Sequence, residues 1–362
     1  MSSLNELSDA GVAIWLDDLS RDRLESGSLA GLIASSNVVG VTTNPSIFSA
    51  AISKSDKYSA DIKSLAGQGA SIDQIVTRLT TDDVRNACDL FLDTYQRTAG
   101  ADGRVSIEVE PNLAYNTERT ISRAIELHAT VNRPNVLIKV PATVEGLPAI
   151  EDLTSRGISI NVTLIFSVER YEQVMDAYLR GLEKRLGRGE SLSDIHSVAS
   201  FFISRLDTQV DKQLDETQPG SALRGSAAIA NAHLAYESFI RISNSDRWKK
   251  LSAAGANYQR PLWASTGVKD KSYDSTRYVV ELVAPNCVNT MPEGTLNEVR
   301  EHGVVRGDTI TPAFTQSHRT LEALAAAGVN ITEINRKLED AAVLGFSTAW
   351  DELLANVTAA AK

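Results

Sequence analysis

The chain alternates between short β-rich runs and helical patterns, and this alternation constrains its fold more than any other feature. Eight such runs follow one another: 12–17 (VAIWLD), 38–42 (VVGVT), 104–110 (RVSIEVE), 136–140 (VLIKV), 158–163 (ISINVT), 196–202 (HSVASFF), 261–265 (PLWAS) and 278–284 (YVVELVA). Strands that alternate with helices form parallel sheets. Eight runs in 362 residues therefore predict one α/β domain over residues 1–362, a closed (β/α)₈ barrel of the TIM type.

An open, doubly wound sheet is the alternative arrangement of the same elements. The dinucleotide-binding version of that fold has a glycine-rich turn directly after its first strand. The segment that follows the first run here is DLSRDRLES, which contains no glycine. The sequence thus favours the barrel and gives no sign of a nicotinamide or flavin site.

Two parts of the chain exceed what the barrel needs. Residues 48–103 are too many for one crossover helix, so we expect at least two helices inserted after the second strand. The tail after Thr309 is mostly helical in pattern and is expected to pack against the barrel wall. Between the fifth and sixth runs, Ser167 is a fitting N-cap for a helix whose apolar residues recur at helical spacing.

Composition excludes several classes of function. The net charge of −10 argues against a nucleic-acid partner, which would require clustered lysine and arginine. The two cysteines, Cys88 and Cys287, lack the spacing of metal ligands, and the five histidines show no paired spacing either. We therefore expect no metal site.

The beginning of the chain, MSSLNELSDAG, lacks the basic region and apolar core of a secretory signal. No apolar run approaches the length of a transmembrane helix. The sequence therefore predicts a cytoplasmic protein with no membrane partner.

Lys139 is unexpected in its place, near the end of the branched apolar run VLIKV. A buried ammonium is costly unless it is paired or loses its proton, and an amine that has lost its proton is a nucleophile. An edge strand with a solvated or snorkelling lysine is the simpler alternative.

Side-chain alternation sharpens this question. In the third, fourth and fifth runs, branched apolar residues occupy every second position, which suits packing against surrounding helices. The positions between them hold Glu108, Lys139, Asn161 and Thr163. Four polar side chains that point inward from neighbouring strands are difficult to explain as surface residues.

Further polar side chains stand at the carboxyl ends of the other predicted strands, where (β/α)₈ barrels have their active sites. These are Asp17 and Asp18 in the first, Asn44 after the second, Ser200 in the sixth, Arg205 after it, and Lys269 after the seventh. The apolar Phe202 stands beside them at the end of the sixth.

Each of these residues also has a purely structural interpretation. One of Asp17 and Asp18 is expected to cap the next helix, and Asn44 before proline is common in turns. Ser200 and Phe202 could fill the core, and Arg205 and Lys269 could be solvated cations. We base the functional hypothesis on the whole set.

The set suits Schiff-base chemistry. A neutral lysine adds to a ketone and loses water, and the resulting iminium accepts the electrons of the adjacent carbon–carbon bond. An inward glutamate and a threonine hydroxyl can move protons through a water, and an aspartate can act at the departing hydroxyl. Cations beyond the pocket can hold a phosphate. The chemistry predicted is an aldol reaction on a phosphorylated sugar.

In this order, the segments TTNPS, SIEVE, LIKVPAT, INVTLIFS and SFFISRLD closely resemble the transaldolase family. The resemblance covers roughly Ile14 to Pro285, and the length suggests the longer bacterial type. It implies a cofactor-free enzyme of the non-oxidative pentose phosphate pathway. Such an enzyme moves a dihydroxyacetone unit from sedoheptulose 7-phosphate to glyceraldehyde 3-phosphate, giving erythrose 4-phosphate and fructose 6-phosphate.

The resemblance also implies a role for each candidate residue. Lys139 would form the Schiff base, Asp17 would act as acid and base, and Glu108 and Thr163 would handle the catalytic water. The substrate would be bound by Asn44, Asn161, Ser200, Phe202, Arg205 and Lys269.

Lys269 is a departure from the family pattern, because many transaldolases have a phosphate-binding arginine there. A lysine is a point charge and not a planar fork. The partners expected are sugar phosphates, and the chain could be a monomer or a homodimer. An aldolase that releases free dihydroxyacetone and a catalytically silent binding barrel are the rival functions.

Overall fold

The computed structural model describes residues 2–362. Eight strands form its centre: β1 (Val12–Leu16), β2 (Val38–Val41), β3 (Arg104–Glu108), β4 (Val136–Pro141), β5 (Ile160–Ile165), β6 (Ser197–Phe202), β7 (Gln259–Ala264) and β8 (Cys287–Met291). Each strand pairs in parallel with the next, and β8 pairs with β1, so the barrel closes as predicted.

Helices connect and surround these strands. They are α1 (Ser3–Asp9), α2 (Arg21–Glu25), α3 (Ser28–Ser35), α4 (Pro45–Lys54), α5 (Ser59–Gly67), α6 (Ile72–Leu90), α7 (Leu92–Arg97), α8 (Thr117–Val131), α9 (Gly146–Ser155), α10 (Val168–Gly187), α11 (Ser204–Thr217), α12 (Ala227–Ser243), α13 (Asp246–Ala253), α14 (Arg277–Val280), α15 (Glu293–His302), α16 (Phe314–Ala326) and α17 (Ile331–Ala360).

The strands are buried on both faces. Every residue of β4, β5 and β6 is buried, because helices cover the outside of the barrel and side chains fill its interior. This double burial explains why the sequence shows short, nearly continuous apolar runs. It also means that any polar residue within them lies in the interior or under a helix.

Trp15 fills the barrel below the carboxyl end of β1 and is completely buried. Gly40 of β2 faces it, and a Cβ on Gly40 would stand only 2.5 Å from the indole ring. Glycine is therefore the residue that allows the indole to cross to β2. This ring forms a floor beneath the polar residues at the strand ends.

The eighth strand was predicted at the wrong place. Residues 278–284 contain the end of α14 and a buried turn, and β8 follows at Cys287–Met291. A short apolar run does not distinguish a strand from a buried helical turn. The true strand escaped notice because Asn289 and Thr290 interrupt its apolar pattern. Other predicted strands shift by one or two residues.

The inserted helices and the helical tail are confirmed. Helices α4 to α7 lie between β2 and β3, and α16 and α17 form the tail. The 30-residue helix α17 packs on α4, α6 and α11. Ser167 caps α10 by accepting a hydrogen bond from the backbone N–H of Arg170. Among residues 2–362, no helix is both long and apolar enough to cross a bilayer.

Candidate active site

The strand register places three candidate side chains next to one another. Glu108 pairs with Lys139 across β3 and β4, and Lys139 pairs with Asn161 across β4 and β5. Lys139 Nζ lies 3.2 Å from Glu108 Oε2, and it donates a hydrogen bond of 2.8 Å to the carbonyl oxygen of Thr43. The two side chains are only 6% and 5% exposed. Lys139 is therefore a buried lysine with a carboxylate partner, not an edge-strand lysine.

A chain of hydrogen bonds orients Asn161 beside this pair. Its amide nitrogen donates to Ser106 Oγ at 3.0 Å, and its amide oxygen accepts from Ser200 Oγ at 2.7 Å. All three side chains are buried. Because both ends of the amide are bonded, its orientation is set by β3 and β6 together.

Asp17 directly follows β1, and its side chain lies close enough to Lys139 for the two charges to interact. Thr42 Oγ1 donates to Asp17 Oδ1 at 2.6 Å and lies 2.6 Å from Thr290 Oγ1, so Thr290 is the donor in the second bond. The neighbouring Asp18 instead forms an ion pair with Arg23. Ser20 caps α2, so the expectation that one of the two aspartates would do so was wrong.

The charges of this group are coupled. Burial raises the pKa of Glu108 above its ordinary value, and the charge and hydrogen bond of Lys139 act in the opposite direction. Burial also raises the pKa of Asp17, while Thr42 and Lys139 lower it. One lysine thus faces two carboxyl groups whose proton affinities burial has increased, an arrangement suited to proton transfer among them.

Two buried oxygen atoms in this group make no hydrogen bond within residues 2–362: Glu108 Oε1 and Thr163 Oγ1. Thr163 lies two residues after Asn161 on β5 and is fully buried. Buried polar atoms are normally bonded. Both atoms are therefore available to a water or a substrate group.

Asn44 lies at the mouth of the site. Its side-chain oxygen caps α4 by accepting from the N–H of Ile47 at 3.0 Å, as the turn interpretation predicted. Asn44 and Asp17 line the same cavity of about 510 Å³. The cap occupies the oxygen of Asn44 and leaves its amide N–H groups to act as donors there.

Phe202 and Arg205 lie together at the end of β6 and the start of α11. Phe202 is buried against Phe166, and the Arg205 guanidinium carbon lies 5.3 Å from the centre of the Phe202 ring. No carboxylate among residues 2–362 pairs with Arg205. Burial lowers the pKa of Arg205. A partly buried guanidinium without a protein anion is a candidate for binding one from solution.

Lys269 is exposed, and it lines a cavity of about 480 Å³ with Asp207, Asp211, Asp270 and Arg224. Within residues 2–362, it makes no hydrogen bond or ion pair with the other candidate residues. Acidic neighbours also reduce its suitability for an anion.

The residue pattern missed several polar groups that support the site: Thr42, Thr43, Ser106 and Thr290. Thr42 and Thr43 lie in the quoted segment TTNPS, where only Asn44 was considered. Thr43 contributes a backbone oxygen, which no side-chain pattern could reveal. Glu110, which shares the predicted face of Glu108, lies beyond the end of β3 and pairs with Arg123.

Two residues near the strand ends adopt the left-handed backbone conformation without being glycine. Leu164 has φ = 64° within β5, and Ser265 has φ = 56° directly after β7. Ser265 Oγ lies 3.1 Å from Ser204 Oγ, beside Arg205. Such conformations cost free energy and concentrate at functional sites.

Comparison with known proteins identifies the family of the chain. The family model described as transaldolase/fructose-6-phosphate aldolase matches residues 14–357. The match therefore begins within β1, includes β2 to β8 and covers nearly all of the helical tail.

Three curated proteins illustrate the similarity. The transaldolase of Mycolicibacterium smegmatis is 56% identical over 354 residues, which are 97% of this chain and 95% of that protein. The transaldolase of Saccharopolyspora erythraea is 54% identical over 98% of this chain and 97% of its own. The transaldolase of Mycobacterium tuberculosis is 54% identical over 97% and 95%, respectively.

Proposed function

The chain belongs to the transaldolase family and is a transferase, and from this premise we propose that it works through a Schiff base on Lys139. It transfers a dihydroxyacetone unit from sedoheptulose 7-phosphate to glyceraldehyde 3-phosphate, in the non-oxidative pentose phosphate pathway. The products are erythrose 4-phosphate and fructose 6-phosphate. The observation that carries this proposal is the buried Lys139–Glu108 pair at the carboxyl end of the barrel.

The first step is addition of the Lys139 amine to the ketose carbonyl. The ammonium must first give up a proton, and Glu108 is the nearest carboxylate, at 3.2 Å. Addition gives a carbinolamine, whose hydroxyl leaves as water when the carbon–nitrogen double bond forms. We assign the proton transfers of this step to a water held between Glu108 Oε1 and Thr163 Oγ1, the two buried oxygens that lack protein partners.

The second step is cleavage of the carbon–carbon bond. Asp17 removes the proton from the hydroxyl next to that bond, an aldose phosphate leaves, and the electron pair moves into the iminium to give an enamine. The enamine then adds to the acceptor aldehyde, and Asp17 returns the proton. Its raised pKa favours this exchange, since a general base works best when its pKa approaches the working pH. Water finally adds to the new iminium, by the reverse of the first step, and releases fructose 6-phosphate and the free Lys139 amine.

The dihydroxyacetone unit needs several polar contacts to hold it against Lys139. We assign these to the free N–H groups of Asn44, to Asn161 and to Ser200, with Phe202 as an apolar wall. Asn161 and Ser200 are hydrogen-bonded to one another. This arrangement is preorganised, so little ordering accompanies substrate binding.

The phosphate end is assigned chiefly to Arg205, because its guanidinium is half-buried and has no acidic partner. Lys269 is retained as a second, weaker contact that a long flexible side chain could make from the rim. The acidic residues around it argue for a smaller contribution.

Replacing Arg205 tests the phosphate assignment. Arg205→Ala should lower kcat/KM for phosphorylated ketose donors about ten- to a hundredfold relative to unphosphorylated ketose donors, because a charge-assisted hydrogen bond is worth about 1.5–3 kcal/mol. Lys269→Ala, the matched control, should show the same bias to a smaller degree. The quantity to compare is kcat/KM on the two classes of donor. Equal losses on both would assign Arg205 a structural role.

The rival activity is that of an aldolase, which would release dihydroxyacetone to solvent. Incubation with fructose 6-phosphate alone separates the two. Without an acceptor the transferase should stop after about one turnover per site, and added erythrose 4-phosphate should restore continuous formation of sedoheptulose 7-phosphate. Sustained release of dihydroxyacetone without any acceptor would contradict the transfer activity.

A further inference from the structure

A second polar cavity lies at the opposite end of the barrel from Lys139. Its volume is about 120 Å³, and its lining includes Arg104, His196 and Arg260. Arg104 is the first residue of β3, His196 immediately precedes β6, and Arg260 is the second residue of β7. All three thus belong to the amino ends of the strands, whereas the proposed reaction takes place at the carboxyl ends.

Arg104 is a fully buried guanidinium without a carboxylate partner. It is 1% exposed, and its Nε donates to the Gly100 carbonyl oxygen at 2.6 Å. Among residues 2–362 no carboxylate lies within ion-pair distance of it. A buried charge without a counter-charge is strongly unfavourable. Burial accordingly lowers the pKa of Arg104 to about 10.

Arg260, the second arginine of the cavity, forms an ion pair with Asp102. Arg260 Nη2 lies 2.8 Å from Asp102 Oδ1, and the same oxygen accepts from Trp15 Nε1 at 3.3 Å. Asp102 thus pairs with Arg260 and not with Arg104. The surroundings of the cavity carry an excess positive charge.

Side-chain nitrogen atoms of Arg104 and His196 lie close to one another beside Gly100. Arg104 Nη2 is buried and makes no hydrogen bond to any residue of 2–362. His196 Nε2 lies close to the same point. A Cβ built on Gly100 would stand 3.2 Å from Arg104 Nη2 and 3.0 Å from His196 Nε2. Burial and the two arginines lower the pKa of His196 to about 3, so its ring is neutral and carries one N–H.

We propose that this cavity binds a small oxyanion, a phosphate or carboxylate group, between Arg104, His196 and Arg260. A water requires roughly 10–15 Å³, so the cavity has room for a larger group. Arg104 Nε and Nη1 both donate to backbone carbonyl oxygens, so Nη2 is the nitrogen left for an anion. An oxyanion has several acceptor oxygens, so it can bond to Nη2 and to donors of His196 and Arg260 at the same time. Exposed Tyr258 and Asn286 line the same cavity and give it access to solvent.

This site is independent of the one proposed for the substrate phosphate at Arg205. An anion here would supply the counter-charge that Arg104 lacks and would stabilise the folded state in proportion to its concentration. The anion would bind at the first residue of β3, the strand whose last residue is Glu108.

The experiment follows the His196 ring by NMR in protein labelled with ¹³C at histidine, with the signal assigned through His196→Gln. Addition of inorganic phosphate should move the His196 signal with saturation, and Arg104→Gln should weaken the apparent affinity about ten- to a hundredfold. Arg205→Ala, the matched control, should leave this titration unchanged. If Arg104→Gln does not fold, Arg260→Gln serves in its place, with the same expected loss.

Acetate and sulfate, at matched ionic strength, separate a carboxylate site from one for tetrahedral anions. The proposal fails if none of the three anions moves the His196 signal. It fails equally if Arg104→Gln and Arg260→Gln leave the phosphate titration unchanged, or if chloride produces the same titration. These outcomes do not depend on the transferase activity, because the reporter and the variants lie at the other end of the barrel.

Discussion

Lys139→Arg is expected to abolish turnover and to leave the protein folded. Arginine keeps a positive charge opposite Glu108, so the buried carboxylate retains a partner, but guanidinium cannot supply the amine that forms the Schiff base. Loss of a covalent nucleophile costs on the order of 10⁶-fold in kcat. A smaller apolar replacement would be a poorer test, because an unpaired buried carboxylate destabilises a protein by about 3–5 kcal/mol.

Two measurements check this expectation. Steady-state transfer should fall to background in Lys139→Arg, and Lys57→Arg, a surface lysine paired with Glu25, should behave as wild type. Borohydride with fructose 6-phosphate should add mass to one wild-type peptide, the one that contains Lys139. Labelling of another lysine, or a Lys139→Arg enzyme with substantial turnover, would refute the assignment.

Glu108→Gln should slow formation of the covalent adduct about 10²- to 10⁴-fold, the usual contribution of general acid–base catalysis. Glutamine keeps the shape of the side chain and can still bond to its neighbours, but it cannot accept the proton that Lys139 must lose. The affinity for the substrate phosphate should hardly change, because Arg205 belongs to α11, whereas Glu108 is the last residue of β3. Single-turnover trapping with borohydride measures the rate of adduct formation.

Asp17→Asn is the matched variant, since both carboxyl groups face Lys139 and both have pKa values raised by burial. It should form the adduct at close to the normal rate and then fail to release the aldose phosphate. The two variants should therefore stop at different steps. If Glu108→Gln accumulates adduct and Asp17→Asn does not form it, the roles of the two residues are exchanged.

Burial of the two carboxyl groups makes the stability of the site depend on pH, because it raises the pKa of both Glu108 and Asp17. Each carboxyl group has a raised pKa in the folded state, so it binds its proton more tightly there than in the unfolded chain. The linked contribution to stability is present at low pH and is lost as pH rises toward the folded pKa values. The site is thus less stable when both carboxylates are ionised, which is the form that the reaction needs.

Much of the barrel follows from the sequence alone. Runs such as 136–140 are short and branched because both faces of a parallel strand are buried, and that double burial leaves a recognisable pattern. The alternation within β3, β4 and β5 also places Glu108, Lys139 and Asn161 on one face. The spacing of side chains that share one face of a strand or helix is a local property of the chain. It can therefore be recognised in the sequence before the fold is known.

The eighth strand could not be identified in this way. Its two polar residues point to opposite faces of the strand. Thr290 faces the barrel interior and bonds to Thr42, whereas Asn289 lies under the surrounding helices and donates to the Tyr278 carbonyl of α14. Their partners lie on distant segments, so a residue pattern gives no reason to place them inside. Residues 278–284 looked more like a strand because a buried helical turn is equally apolar.

Residue types and their spacing along the strands thus determined by themselves the barrel, the inward lysine and its carboxylate neighbours. Tertiary structure alone decided how these groups are partnered: the Thr43 carbonyl on Lys139, Thr42 on Asp17, and the placement of Lys269 among acidic residues. The physical reason is the range of the interactions. Strand and helix periods arise between neighbours in sequence, whereas burial and ion pairing depend on which distant segments meet.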